Sequence, residues 1–207
     1  YFEGCEVPQA GWDVIYRNVD GIQMPDGDIV HTLYVEMKNK HNTMNSASSA
    51  KTYIKMQGQI LEDDDCACLL VEAIAKKSQN IKWSTKVDGK NVQHRLIRRV
   101  SMDQFYAILT GEEDAFYKMC MALPAVINEV VNEEGSVKVP HDTVIDELRK
   151  VASLYSDEDN ELSMAMAVYM LGFNTYTGFG DKIRGELEEN NDGMLKRIYE
   201  YVKKFSI

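Results

Sequence analysis

Three consecutive segments decide the fold: residues 29–37, IVHTLYVEM; residues 38–49, KNKHNTMNSASS; and, after a further stretch, residues 66–75, CACLLVEAIA. In the first, Leu33, Val35 and Met37 alternate with Tyr34, Glu36 and Lys38. Strand side chains point alternately to the two faces of a sheet, so one set meets a core and the other carries charge. The second segment is rich in Asn and Ser, which favour turns and caps. It delivers the chain into a helix over 50–61, where Tyr53, Ile54, Met56, Gln57 and Ile60 recur at helical spacing. Asp63-Asp64-Asp65 ends that helix. The third segment is a near-continuous apolar run of the length expected for a strand buried on both faces. Strand, helix, strand in this order implies a parallel crossover and an α/β core.

Upstream, Cys5 to Tyr16 carries Val7, Trp12, Val14, Ile15 and Tyr16 and reads as a strand. The turn dipeptides Asp20-Gly21 and Asp26-Gly27 separate it from the strand at 29–37, so the two are expected to pair antiparallel across a long turn. Downstream, 83–87 and 92–100 flank Asp88-Gly89-Lys90-Asn91, a hairpin signal. Ser101-Met102-Asp103-Gln104 is expected to cap a helix from Asp103 to about Thr110. Helices follow over 114–131, with Phe116, Met119, Cys120, Leu123, Val126, Ile127 and Val130 on one stripe, and over 142–155, 161–171 and 191–205. The organisation expected is one α/β domain: a core over 1–136 and a helical C-terminal portion over 137–207.

A chain of 207 residues, 44% hydrophobic and 27% charged, has ordinary globular composition, which excludes disorder, collagen and small disulfide scaffolds. Four cysteines, two of them in Cys66-Ala67-Cys68, form neither a bridge framework nor a zinc pattern, so a reducing, cytoplasmic setting is expected. No apolar run approaches the roughly 18 residues of a spanning helix, and the N-terminus lacks the pattern of a signal peptide, so a protein off the membrane is expected. The chain begins without Met, at what reads as a strand edge, so upstream residues are expected to be missing.

The net charge of −10 conceals an asymmetry, since residues 1–100 hold 13 acids and 13 bases and all the excess acid follows. Residues 37–61 hold Lys38, Lys40, Lys51 and Lys55 and no carboxylate; residues 76–99 hold eight bases against Asp88 alone. Phosphate binding depends on the local field, so an acidic total does not exclude nucleic acid when two basic stretches line one cleft.

Pairing the first two strands as a hairpin brings Asp13 near Glu36, and the two-residue spacing puts Lys38 on the face of Glu36. Two carboxylates and a lysine then converge. Magnesium takes oxygen ligands and keeps several waters, so one or two carboxylates with a substrate phosphate suffice to hold it. Lys38 beside it can orient or deprotonate an attacking water and stabilise the charge on a phosphate. A lone Glu-x-Lys is otherwise common on solvated strand faces.

This arrangement resembles the PD-(D/E)XK nuclease superfamily. The segment 34–57, YVEMKNKHNTMNSASSAKTYIKMQ, together with Gly11-Trp12-Asp13-Val14 and residues 101–114, SMDQFYAILTGEED, is similar to a family of Type II restriction endonucleases that read GGNCC-like sites. The resemblance spans roughly the first 130 residues. It implies a mixed central sheet flanked by helices and a Mg2+-dependent, sequence-specific endonuclease leaving 5′-phosphates, with Asp13, Glu36 and Lys38 at the catalytic positions and Asp13 and Glu36 as metal ligands. Trp12 stands where the superfamily motif has Pro, and the upstream helix of such enzymes is not in the sequence. The partners implied are double-stranded DNA with a short palindromic site, a second copy of the chain, and a cognate DNA methyltransferase in the same host.

Lys40, His41, Asn42, Asn45, Ser46, Ser48, Ser49 and Lys51 follow the active strand and suit phosphate oxygens and base edges. For Asn42 and Asn45 an Asx turn is an equal explanation. Arg95 and Arg98, on the hairpin, can read guanine or clamp phosphate. Gln57, one helix face beyond, can support the active site or belong to core or surface. A structure-specific repair or junction-resolving nuclease and a catalytically inactive DNA-binding module of the same fold are the competing readings.

Overall fold

The computed structural model describes residues 2–40, 44–120 and 122. The chain divides into two compact units, 1–113 and 114–207. The first holds β1 (Cys5–Glu6), β2 (Val14–Gln23), β3 (Ile29–Lys40), α1 (Ser46–Glu62), β4 (Cys66–Ile74), β5 (Asn80–Val87), β6 (Lys90–Ser101) and α2 (Met102–Thr110). Of the second, the chain is helical over 115–120, with Phe116 and Cys120 buried. The expected helices from 142 onward and the expected boundary near 136 lie outside the described residues.

The six strands form one mixed sheet in the order β1-β2-β3-β4-β6-β5. The pairs β3–β4 and β4–β6 are parallel, and β1–β2, β2–β3 and β5–β6 are antiparallel. The α/β reading and the β3-α1-β4 crossover hold. In the middle of the sheet, β4 is buried from Cys66 to Glu72, which is why its sequence does not alternate. α1 covers one face, burying Tyr53 and Met56 with Cys68, Leu70, Trp83 and Ile97. Each such side chain contributes about 1.5–3 kcal/mol of transfer free energy, more than the weak propensity of this Ser- and Gly-containing helix supplies. All four cysteines are free thiols.

Three local expectations are corrected. Asp20-Gly21 does not end a strand: β2 runs through it to Gln23, with the register shifting between Arg17 and Ile22. Gly21 has φ +83, and a Cβ there would stand 2.6 Å from Ile29 Cγ2, so this glycine makes an irregularity inside the ladder. The reversal itself comes at Met24–Asp28. α1 starts four residues early, because Asn45 Oδ1 accepts the Ser48 N–H and turns the Ser-rich stretch into the first helical turn. At α2 the expected capping box is not made: Ser101 Oγ bonds Asp103 and the Gln79 carbonyl, and Gln104 bonds Ser78 Oγ. The β5–β6 turn forms where expected, with Asp88 at φ 48 and Gly89 at φ 76, the two positive values of a tight hairpin.

Candidate active site

The β2–β3 register pairs Val14 with Val35, so Asp13, one residue before β2, comes next to the stretch of β3 that carries Glu36. Asp13 is fastened on both sides of that residue. Its N–H donates to the Val35 carbonyl at 3.0 Å, and its Oδ2 accepts the Met37 N–H at 2.7 Å. Asp13 was expected on a strand; it lies just outside one, and its carboxylate takes the place of a ladder carbonyl. The other oxygen remains to accept from a ligand.

Glu36 is held between two ammonium groups. Lys38 Nζ donates to Oε1 at 2.7 Å, and Lys55 Nζ donates to Oε2 at 2.8 Å. Glu36 and Lys38 share the α1-facing side of β3, as their spacing requires. Burial pushes the Glu36 carboxyl upward, but the hydrogen bonds from Lys38 and Lys55 outweigh it, so its pKa sits below the ordinary glutamate value. The pair of carboxylates is oxygen-only and ionised at Glu36, a donor set suited to a hard divalent cation. Among the described residues no group of three His, Cys, Asp or Glu is placed to hold a metal ion, so water and substrate oxygens would have to complete any such shell.

Lys55 was not singled out from the sequence. It also donates to the Gly11 carbonyl, and its ammonium lies 3.8 Å above the Trp12 ring. Trp12 Nε1 donates to Gln59 Oε1 at 3.2 Å, and its ring meets Tyr34 at 5.4 Å with the planes tilted by 46°. The residue in the place of the motif proline is therefore an anchor. Glu72 was missed as well. It is the β4 register partner of Lys38, is 2% exposed, and accepts from Arg99 and from Gln79 Nε2 at 3.2 Å. A lone carboxylate in the apolar run of β4 was the signal for it.

The expected DNA contacts are dispersed. Lys40 closes β3, paired with Ile74 of β4. His41 and Asn42 lie outside the described residues. Asn45 is the α1 cap, so its Asx bond explains it locally, while Ser46 and Ser48 are exposed and Ser49 half-buried in a first turn without acid. Lys51 is exposed on α1. Gln57 is exposed too, beside a pocket of about 230 Å3 lined also by Ile60, Leu61, His94 and Ile97, and is not bonded to Asp13 or Glu36. Arg95 is exposed and paired with Asp28 at 2.6 Å.

Arg98 is the most enclosed of these residues. It is 3% exposed, and its guanidinium donates to Asp26 Oδ2 (2.6 Å), Asn80 Oδ1 (2.6 Å), the Asn80 carbonyl (2.7 Å) and the Arg95 carbonyl (3.2 Å). With its donors so directed, it fastens the β2–β3 turn to the sheet and presents no fork to a base edge. A basic residue on a hairpin reads the same in sequence whether it faces out or in.

No solved structure matches the chain. The Type II restriction enzyme Sau96I of Staphylococcus aureus is 33% identical over 116 residues, 52% of this chain and 44% of that enzyme. The chain thus spans less than half the length of that relative. Residues 1–132, which include every element of the sheet and the whole Asp13–Glu36–Lys38–Lys55 cluster, match the Eco47II restriction endonuclease family. The chain belongs to the Eco47II restriction endonuclease family.

Proposed function

We propose that this chain is the catalytic portion of a Mg2+-dependent, sequence-specific endonuclease that cuts both strands of a short palindromic DNA site of GGNCC type. One observation carries the reading: Asp13, 23 positions before Glu36 in sequence, is bonded to the backbone on either side of it, at Val35 and Met37, while Lys38 is bonded to Glu36 itself. Family membership supports it.

Asp13 and Glu36 would hold the ion, which when bound lowers the pKa of a water and offsets charge building on the phosphate. In the reaction the water oxygen bonds to phosphorus in line with the departing 3′ oxygen, leaving a 5′-phosphate and a 3′-hydroxyl. Lys38, at the rim of the pair, donates to the water or to a non-bridging oxygen. The Asp13–Met37 bond fixes one carboxylate against the strand, so the site is preorganised before DNA arrives. Lys40 and Lys51 contribute phosphate contacts. His41, Asn42 and the serines of the first α1 turn are candidates for the adjacent DNA contacts. A symmetric site favours a homodimer with one active centre per strand. A cytoplasmic setting and a protecting methyltransferase in the same host accompany such an activity.

Digestion of a plasmid of known sequence with Mg2+, followed by end mapping, tests this. Discrete fragments with 5′-phosphates at one repeated sequence are expected. A smear or junction-dependent cutting would favour a repair nuclease, and intact plasmid under all divalent ions would leave a binding module.

A further inference from the structure

The second lysine of the cluster has a geometry of its own. Its Nζ contacts are Glu36 Oε2 at 2.8 Å, the Gly11 carbonyl, and the Trp12 ring at 3.8 Å. An ammonium has three N–H groups. Two are directed to oxygens of this protein while the ring covers the cation, which leaves little of it for a DNA phosphate. One turn along the same helix face, Gln59 Oε1 accepts the Trp12 indole N–H. Thus α1 holds, through two side chains four residues apart, both Glu36 and the segment that leads into Asp13. α1 is in turn fixed by Tyr53 and Met56, each 0% exposed.

We infer that Lys55 is a positioning residue for cleavage, fixing one oxygen of Glu36 and setting how strongly the Asp13–Glu36 pair takes a divalent cation. The inference rests on the metal-site reading above. Its two effects have opposite signs. The ammonium repels a dication and shares a ligand with it, so it weakens metal binding; it also holds Glu36 in one orientation, so it speeds the step that follows. A DNA-contacting lysine or a purely structural one would give neither combination.

The test is calorimetric titration of the full 207-residue chain with Mn2+ alone, paired with single-turnover cleavage at saturating Mg2+ and DNA binding in Ca2+ at several salt concentrations. Lys55→Met keeps an unbranched side chain of similar length and removes the charge that lies over Trp12. It is expected to bind Mn2+ about five-fold tighter, cleave about ten-fold or more slowly, and keep the parental salt slope for DNA. Lys55→Arg should keep Mn2+ affinity at the parental value, and Lys55→Gln, which also removes the charge, serves in place of the Met variant if that fails to fold. Glu36→Gln should lose Mn2+ binding. If Glu36→Gln binds Mn2+ as the parent does, the metal-site reading falls and the inference with it. If Glu36→Gln loses the ion but Lys55→Met binds Mn2+ no tighter, or loses a unit of salt slope with its cleavage rate intact, the inference alone is overturned.

Discussion

Two ionic clusters lie on opposite faces of the same sheet. Glu36 on β3 shares its row with Leu70 of β4, whereas Arg98 on β6 is aligned with Leu69 and, through it, with Val35. The Glu36 cluster keeps an open side: the side chains of Glu36, Lys38 and Lys55 are 18%, 29% and 34% exposed. In the other, Arg98 has a side chain 4% exposed and binds Asp26, which also takes Lys82 at 3.2 Å. Lys82, and then Arg98, hold the Asp26 carboxyl below its ordinary value. The two look alike as inventories of charge, but a cluster whose donors are all directed inward is a staple, while one that retains accessible oxygens can bind and react. Activity and stability should therefore separate between them.

The largest expected effect is on the open cluster. Asp13→Ala and Glu36→Ala should each slow single-turnover cleavage at least about 1,000-fold, roughly 4 kcal/mol of activation free energy. Urea unfolding should change by less than about 1 kcal/mol, and DNA binding in Ca2+ should persist. Cleavage retained within ten-fold in either variant would end their assignment as metal ligands.

Next in size is the staple. Arg98→Met should lower the unfolding free energy by about 1–3 kcal/mol, since it removes a buried guanidinium that donates to Asn80 Oδ1, the Asn80 carbonyl and Asp26. Where the variant is folded it should cut the same sequence at a rate within a few-fold of the parent. Relaxed site preference with unaltered stability would collapse the comparison and restore Arg98 as a base reader.

Smaller effects belong to exposed cations. Lys51→Ala should weaken specific and non-specific DNA alike and reduce the slope of log K against log salt by about 1. Arg95→Ala, removing an exposed ion pair with Asp28, should leave urea melts close to those of the parent. An unchanged slope for Lys51→Ala would move the DNA track off α1.

The finest distinction is in pH. The folded pKa of Glu36 is depressed, so its contribution to stability is complete above the ordinary glutamate range, near about 4.3, and is lost as pH falls through the lower folded value. The stability difference between parent and Glu36→Gln should shrink on acidification within that window and stay flat above it. A difference that grew toward acid would contradict the ion pairs at Glu36.

Much of this was legible from residue order. The alternation at 33–38 placed Glu36 and Lys38 on one face, and hairpin pairing placed Asp13 near Glu36, because strand geometry converts a period of two into position without reference to distant parts. The apolar run at 66–75 identified the central strand by its lack of alternation, the mark of burial on both faces. The errors fell where a local signal had two structural outcomes. Asp20-Gly21 suits a turn or a bulge, and only its seat against Ile29 decides between them. Asn45 suits a loop or a cap, and the Ser48 amide decides.

Among the described residues, the sequence by itself determined most element types, the parallel crossover and the shared face of Glu36 and Lys38, all of which follow from local patterns of a few residues. Tertiary structure alone decided that Lys55, 19 positions from Glu36, reaches it and that Arg98 points inward to Asp26, 72 positions away. Those contacts depend on how α1 docks on the sheet and how the β2–β3 turn meets β6. Docking is set by the fit of buried side chains such as Tyr53, Met56, Leu70 and Ile97. Packing at that density is a property of the whole core, and no short stretch of chain encodes it.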